Sequence, residues 1–252
     1  MPWSDVLPGP TPRPYASFSR YFVRARRMAI LVAVLAFLSI GIEAQPSPST
    51  SRFVVVLDAA HGGTDAGSTV TDAAGKPHPE KNLTLAFSVK LRSLLAARGI
   101  AVVTTRESDS TIDPQERAEI ANHAMAQACL TLHAAMSGSG VHLFISSLPP
   151  SRPTRFEPWQ TAQAAYVQRS VALAGVLNSA LLHAGMTVTL GRTALPTVDS
   201  MACPAVAMEI APEQASDANS APASVEDPAY MTQVADALAA GLLEWRAEAR
   251  QP

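Results

Sequence analysis

His61, Glu80, His133 and Glu209 are the side chains of this 252-residue sequence whose types and surroundings best suit bond-breaking chemistry. His61 lies in LDAAHGGTDAG, where Gly62 and Gly63 let the backbone turn tightly and approach a ligand. His133 lies in CLTLHAA and Glu209 in AVAMEIAP, each near the end of an apolar run. A carboxylate after four apolar residues is unusual on a buried strand. Glu80 opens a helical pattern, where a carboxylate also simply suits the positive end of the helix dipole. Taken singly, each histidine reads equally well as a turn or core residue. Taken together, two imidazoles and a carboxylate make a ligand set used by catalytic Zn2+, which keeps a fourth position open for water. Such an ion lowers the pKa of its water to about 7. A further carboxylate can take the water proton and deliver it to a leaving amine. On this reading His61, Glu80 and His133 are the metal ligands and Glu209 is the catalytic carboxylate.

These residues need a scaffold that brings strand ends together. Phe53–Leu57, FVVVL, is a continuous β-branched run, the mark of a strand buried on both faces. Residues 80–97 carry apolar residues at helical spacing and are closed by Gly99. Residues 100–104 read as a second strand. Asp113-Pro114-Gln115-Glu116 starts a helix, with Asp as cap, Pro in the first turn and Glu three after the cap. Further strands are expected at Cys129–Leu132, Val141–Ile145, Thr187–Leu190 and Ala205–Met208. Residues 159–184 and about 230–247 read as amphipathic helices, and Pro149–Pro158 and 211–229 as loops. The alternation predicts a single α/β domain with a mainly parallel twisted sheet flanked by helices. In such a sheet His61, His133 and Glu209 fall at the carboxyl ends of strands, the edge where open α/β sheets bind ligands.

The composition narrows the setting. The formal charge of −2 implies no basic face for nucleic acid. Two cysteines are too few for a thiolate-built zinc site. Arg20, Arg24, Arg26 and Arg27 precede the 15-residue apolar run Met28–Ile42, which is followed by Glu43, Ala44 and QPSPSTS. Residues 1–44 therefore read as a secretory signal peptide cut after Ala44, with an uncleaved N-terminal anchor as the alternative and a buried helix as the third reading. Residues 45–52 form a linker and 53–248 the catalytic domain. The expected location is outside the cytoplasm, in the periplasm or cell envelope. There Cys129 and Cys203 either pair as a disulfide or lie buried as two thiols.

At the level of motifs, VVVLDAAHGGTDAG, PEKNLTLAFSVKLRSLLAARGIAVVTTRESD, Arg117 and Asn122 in ERAEIAN, TLHAA and PAVAMEIAP follow one another from about residue 53 to 245. In order and spacing this series resembles the zinc-dependent N-acetylmuramoyl-L-alanine amidases of the type-3 amidase family. The resemblance implies that His61, Glu80 and His133 bind zinc and that Glu209 is catalytic. The reaction it implies is hydrolysis of the amide between the lactyl group of N-acetylmuramic acid and L-alanine. The implied partners are the stem peptide and glycan of peptidoglycan. An activator protein is a further candidate, and a membrane is a partner only where the N-terminal segment stays uncleaved. Ala135 stands where the family usually has Asn, and Ile210-Ala211 where it has Gly-Phe. These departures keep two alternatives open: a non-catalytic peptidoglycan-binding or regulatory homologue, and a zinc amidohydrolase for another exported amide. Some family members are held inactive by a helix over the metal; here Ser146–Gln160, with Glu157, and residues 211–229 are where such a lid would lie. Of the remaining polar residues, Asp58 is expected to orient His61 or to end a strand. Arg106 and Asn122 are expected to hold loops below the site. His78 reads as a loop residue or stray ligand, and His123, His142 and His183 as structural. No phosphate loop, GxSxG elbow or dinucleotide fingerprint occurs.

Overall fold

The computed structural model describes residues 52–71, 75–154, 158–214 and 223–249. The expected leader and anchor segment, residues 1–44, lies outside the described residues, as do most of the linker, Glu157 and residues 215–222. Among the described residues no helix is long and apolar enough to cross a membrane.

The β-branched run forms β1 (Val54–Ala59). It is followed by two short strands, β2 (Thr69–Thr71) and β3 (Pro77–Pro79), and by α1 (Glu80–Ala97). Next come β4 (Ala101–Thr104), α2 (Pro114–His123), β5 (Ala128–Ala134) and β6 (Val141–Ser146). The second half holds α3 (Val167–His183), β7 (Val188–Thr193), α4 (Pro196–Asp199), β8 (Ala205–Ile210) and α5 (Pro228–Glu248). Six strands form one sheet in the order β4-β1-β5-β8-β6-β7. Its pairings are parallel except β6 with β8, which is antiparallel. The sheet is thus mainly parallel, as the alternating pattern predicts.

Both faces of the sheet are covered, which is why its central strands read as unbroken apolar runs. Val55, Leu57, Leu130, Leu132, Val206 and Met208 pack with Leu91 and Leu95 of α1, Leu177 of α3 and Leu238 of α5. Val56, Cys129, Ala205 and Ala207 face the other way, against Ala118 and Ala121 of α2 and Val198 of α4. The α2 start behaves as its sequence dictates: Asp113 accepts the Glu116 amide at 2.8 Å, and Pro114 occupies the first turn.

The long helix expected from residue 159 departs from that reading. Trp159–Ala165 is a 3-10 segment with non-helical backbone at Thr161, and the α-helix begins only at Val167. Gln163 explains the difference. Its side chain is buried, and its amide donates to the carbonyls of Val198, Met201 and Cys203 while Ser170 donates to its oxygen. Satisfying three carbonyls of the turn before β8 outweighs the helical preference of this stretch.

Cys129 and Cys203 form a disulfide across 74 residues of chain, joining β5 to the segment that enters β8. Constraining so long a loop in the unfolded chain is worth about 4 kcal/mol. Replacing both cysteines by alanine should therefore lower the urea-unfolding free energy by about that amount. A loss below about 1 kcal/mol would show that the cross-link does not restrict the unfolded ensemble.

Candidate active site

His61 stands two residues beyond β1 with φ of 63°, a left-handed conformation unusual for a residue with a side chain. Its neighbours explain how the turn is held. A Cβ on Gly62 would lie 2.3 Å from the Ser110 carbonyl oxygen, so only glycine fits beneath the loop after β4. Gly62 and Asp65 exchange backbone hydrogen bonds of 2.9 and 3.1 Å. Arg117 donates to the His61 carbonyl at 2.6 Å, and Arg106 donates to that of Ala60 at 3.0 Å. The turn folds Asp65 back onto the histidine, and Asp65 Oδ2 lies 2.8 Å from His61 Nδ1. That bond orients the ring so that Nε2 faces Glu80, 3.2 Å from Oε1.

Glu80 is the first residue of α1. The antiparallel β2·β3 pair delivers it there by placing Thr69 opposite Pro79, and the Glu80 amide donates to Ser68 at 2.8 Å. Its carboxylate is buried, accepting the Ser68 amide at 2.9 Å and the Ala134 amide at 3.2 Å. His133, on β5, brings Nδ1 to 2.9 Å from the same Oε1 that faces His61. The two imidazoles meet edge to face, with centroids 5.4 Å apart. Burial pushes the Glu80 carboxyl up, but the bond to His133, the Ser68 amide and the charges of both histidines outweigh it and hold the group at about 2. Asp65 is also held below its ordinary value, first by its bond to His61 and then by the Gly67 amide.

The donor atoms of His61, Glu80 and His133 all lie within 4.8 Å of one another. Two ring nitrogens and one anionic oxygen, drawn from three separate elements, suit a divalent cation that accepts mixed N and O ligands. The metal-like grouping is therefore a property of the fold.

Glu209 lies in register with His133 across the parallel β5·β8 pair, and with His142 across the antiparallel β6·β8 pair. Register partners project from the same face of a sheet, their Cβ atoms about 5 Å apart. A row of polar side chains thus runs from His133 through Glu209 to His142, whose Nδ1 lies 2.5 Å from Thr189 Oγ1 on β7. His142 read as structural in the sequence because nothing there reveals which strand lies beside it.

Other expectations divide. Asp58 does not orient His61: it pairs with Arg117 at 2.6 Å and accepts Thr105 at 2.7 Å, and Asp65 has the role considered for it. Sequence reasoning missed Asp65, although its place four residues after His61 beyond a Gly-Gly turn is a usable signal. Arg106 does hold loops, donating to the carbonyls of Ala59, Ala60 and Lys81. Asn122 likewise bridges Ser200 and Ala202. His78 faces Glu226 at 2.9 Å and lines a cleft between α1 and α5 with Phe87 and Met231, apart from the three donors. His123 and His183 bond carbonyls one turn back in their own helices.

A family model described as N-acetylmuramoyl-L-alanine amidase, Amidase_3, matches residues 55–244. The chain belongs to that family. Among curated relatives, N-acetylmuramoyl-L-alanine amidase AmiA of Escherichia coli (strain K12) is 36% identical over 86 residues, which is 34% of this chain and 28% of AmiA. The match thus spans under a third of that relative's length. Solved structures extend the likeness of fold. The catalytic domain of CwlV, an N-acetylmuramoyl-L-alanine amidase from Bacillus (Paenibacillus) polymyxa var. colistinus, aligns with a TM-score of 0.58 at 23% identity, covering 77% of this chain and 98% of that one. The CwlD amidase from Clostridioides difficile, solved in complex with the GerS lipoprotein, aligns with a TM-score of 0.57 at 19% identity, covering 78% and 99%. The α/β fold of this Amidase_3 member is therefore the fold of those amidases.

Proposed function

We propose that this protein is a zinc-dependent N-acetylmuramoyl-L-alanine amidase that cleaves the amide between N-acetylmuramic acid and L-alanine in peptidoglycan. The observation that carries the reading is the convergence of His61, Glu80 and His133, with Glu209 in register beside His133. Zinc bound there would polarise the amide carbonyl and make water a competent nucleophile near neutral pH. His61 and His133 supply ring nitrogens, and Asp65 fixes the ring of His61 from behind. Glu80 supplies negative charge from a buried position held by two backbone amides. Glu209 accepts the proton of the attacking water and returns it to the departing alanine nitrogen. The protein acts outside the cytoplasm, in the periplasm or cell envelope, exported by the segment 1–44. An activator protein is proposed as a regulatory partner; the CwlD amidase, of the same fold, forms a complex with the GerS lipoprotein. The lid over the metal belongs to the same proposal, in segments 146–160 and 211–229.

Incubating the purified protein with muropeptides and zinc should release stem peptides. A chelator should stop the release and added zinc should restore it. Absence of zinc-dependent cleavage would overturn the enzymatic reading. Ala135 and Ile210-Ala211 favour a binding-only homologue as the second reading. Wall binding that is unchanged in Glu209→Ala, in a protein without turnover, would establish that instead.

A further inference from the structure

Lys81 follows Glu80 directly, and Gly63 comes two residues after His61, so a bond between them ties together the backbones that carry two of the three donors. Lys81 Nζ donates to the Gly63 carbonyl at 2.7 Å and to Asp109 Oδ2 at 2.7 Å. Asp109 Oδ1 accepts the Gly63 amide, again at 2.7 Å. Three bonds thus close a ring through the His61 turn, the first turn of α1 and the loop after β4. The loop presses directly on the turn. A Cβ on Gly63, whose φ is +58°, would stand 2.0 Å from Thr111 Oγ1 and 2.7 Å from the Thr111 nitrogen.

Stability does not account for this ring. The Asp109 side chain is 48% exposed, against 17% for Lys81, and an ion pair open to water on its acidic side contributes little to folding. The path of the chain is already secured from below by Arg106 and Arg117, both buried, through the carbonyls of Ala59, Ala60, His61 and Lys81. What the ring adds is position. It holds the carbonyl of Gly63 directly on Lys81, the residue next to Glu80, and the amide of Gly63 on Asp109, which Lys81 also binds. Groups behind metal ligands commonly change affinity by about 10–100-fold when removed, because they set ligand orientation before the ion arrives.

We infer that Lys81 and Asp109 are positioning residues for the metal, fixing the separation of His61 and Glu80 in the empty protein. The inference rests on the proposed reading of His61, Glu80 and His133 as cation ligands; it is independent of which amide is cleaved. Without the ring, an incoming ion must itself order the turn at 61–65, and part of its binding free energy is spent doing so.

The test uses the full chain, stripped of metal, with zinc affinity measured by competition against a chromophoric chelator. The visible spectrum of the Co2+ form reports ligand geometry. Lys81→Met and Asp109→Ala are expected to weaken zinc binding about 10–100-fold and to alter the Co2+ bands. The melting temperature of the metal-free protein should move by no more than about 4 °C. Lys81→Arg, which keeps a donor and the charge, should recover part of the affinity. Variants that bind zinc and cobalt like the wild type overturn the inference. So does a large fall in metal-free melting temperature in both Lys81→Met and Asp109→Ala, because the ring would then be a folding tie. A wild-type chain that takes up no zinc sinks the metal reading and this inference with it. A wild type that binds zinc tightly yet cleaves no muropeptide sinks only the reaction.

Discussion

Glu209→Gln should bind zinc as the wild type does and yet lose about 10²–10⁴-fold in turnover. The substitution keeps the size and shape of the side chain and removes its ability to take a proton. Glu209 is on β8 and is not among the three converging donors, so the metal site should survive the change. The loss should therefore fall on kcat rather than on metal content. Turnover within about tenfold of the wild type would exclude Glu209 as the proton carrier and turn attention to its neighbour across β6·β8, His142.

Asp58→Ala should destabilise the protein by about 3–5 kcal/mol, measured as a fall in the urea-unfolding free energy. Asp58 and Arg117 are both buried, 2.6 Å apart, and Thr105 donates a second bond to the carboxylate. Burying either charge alone is far costlier than burying the pair, so deleting Asp58 strands a guanidinium whose remaining acceptors are carbonyls. Two of those are the carbonyls of Ala59 and His61. The same variant should therefore loosen the first ligand as well as the fold. A loss below about 1 kcal/mol would mean that water reaches Arg117 in the variant.

The strands and helices that place the site were largely readable, because each has a strong local cause. The central strands are apolar on both faces because α1, α3 and α5 cover one side of the sheet and α2 and α4 the other. The α2 cap is written in Asp113, Pro114 and Glu116. The grouping of His61, Glu80 and His133 was legible only jointly, as two histidines at the ends of strands expected to run mainly parallel and one carboxylate at the start of a helix. Less legible was whatever depends on contacts distant in sequence. Strand patterns carry no direction, so the reversal of β6 against β8 and the approach of His142 to Glu209 were invisible. β2 and β3 have three residues each, and β3 has prolines at both ends, which argues against a strand until its partner is known. Asp65 reaches His61 only because His61 adopts a left-handed turn, a conformation its residue type does not announce.

The cross-link between β5 and the entrance to β8 also acts as a ruler. Cys129 is paired with Ala205 in the same ladder in which His133 meets Glu209. A slip of one residue in that ladder would turn Glu209 away from His133 and into the apolar layer on the opposite side. Strands as uniformly apolar as ACLTLHA and AVAMEI offer few side-chain features to prevent it. A covalent bond to Cys203, two residues before Ala205, favours the alignment that sets Cys129 beside Ala205. A bond between two cysteines at the far end of the sheet thereby helps to keep the carboxylate on the side where His133 emerges.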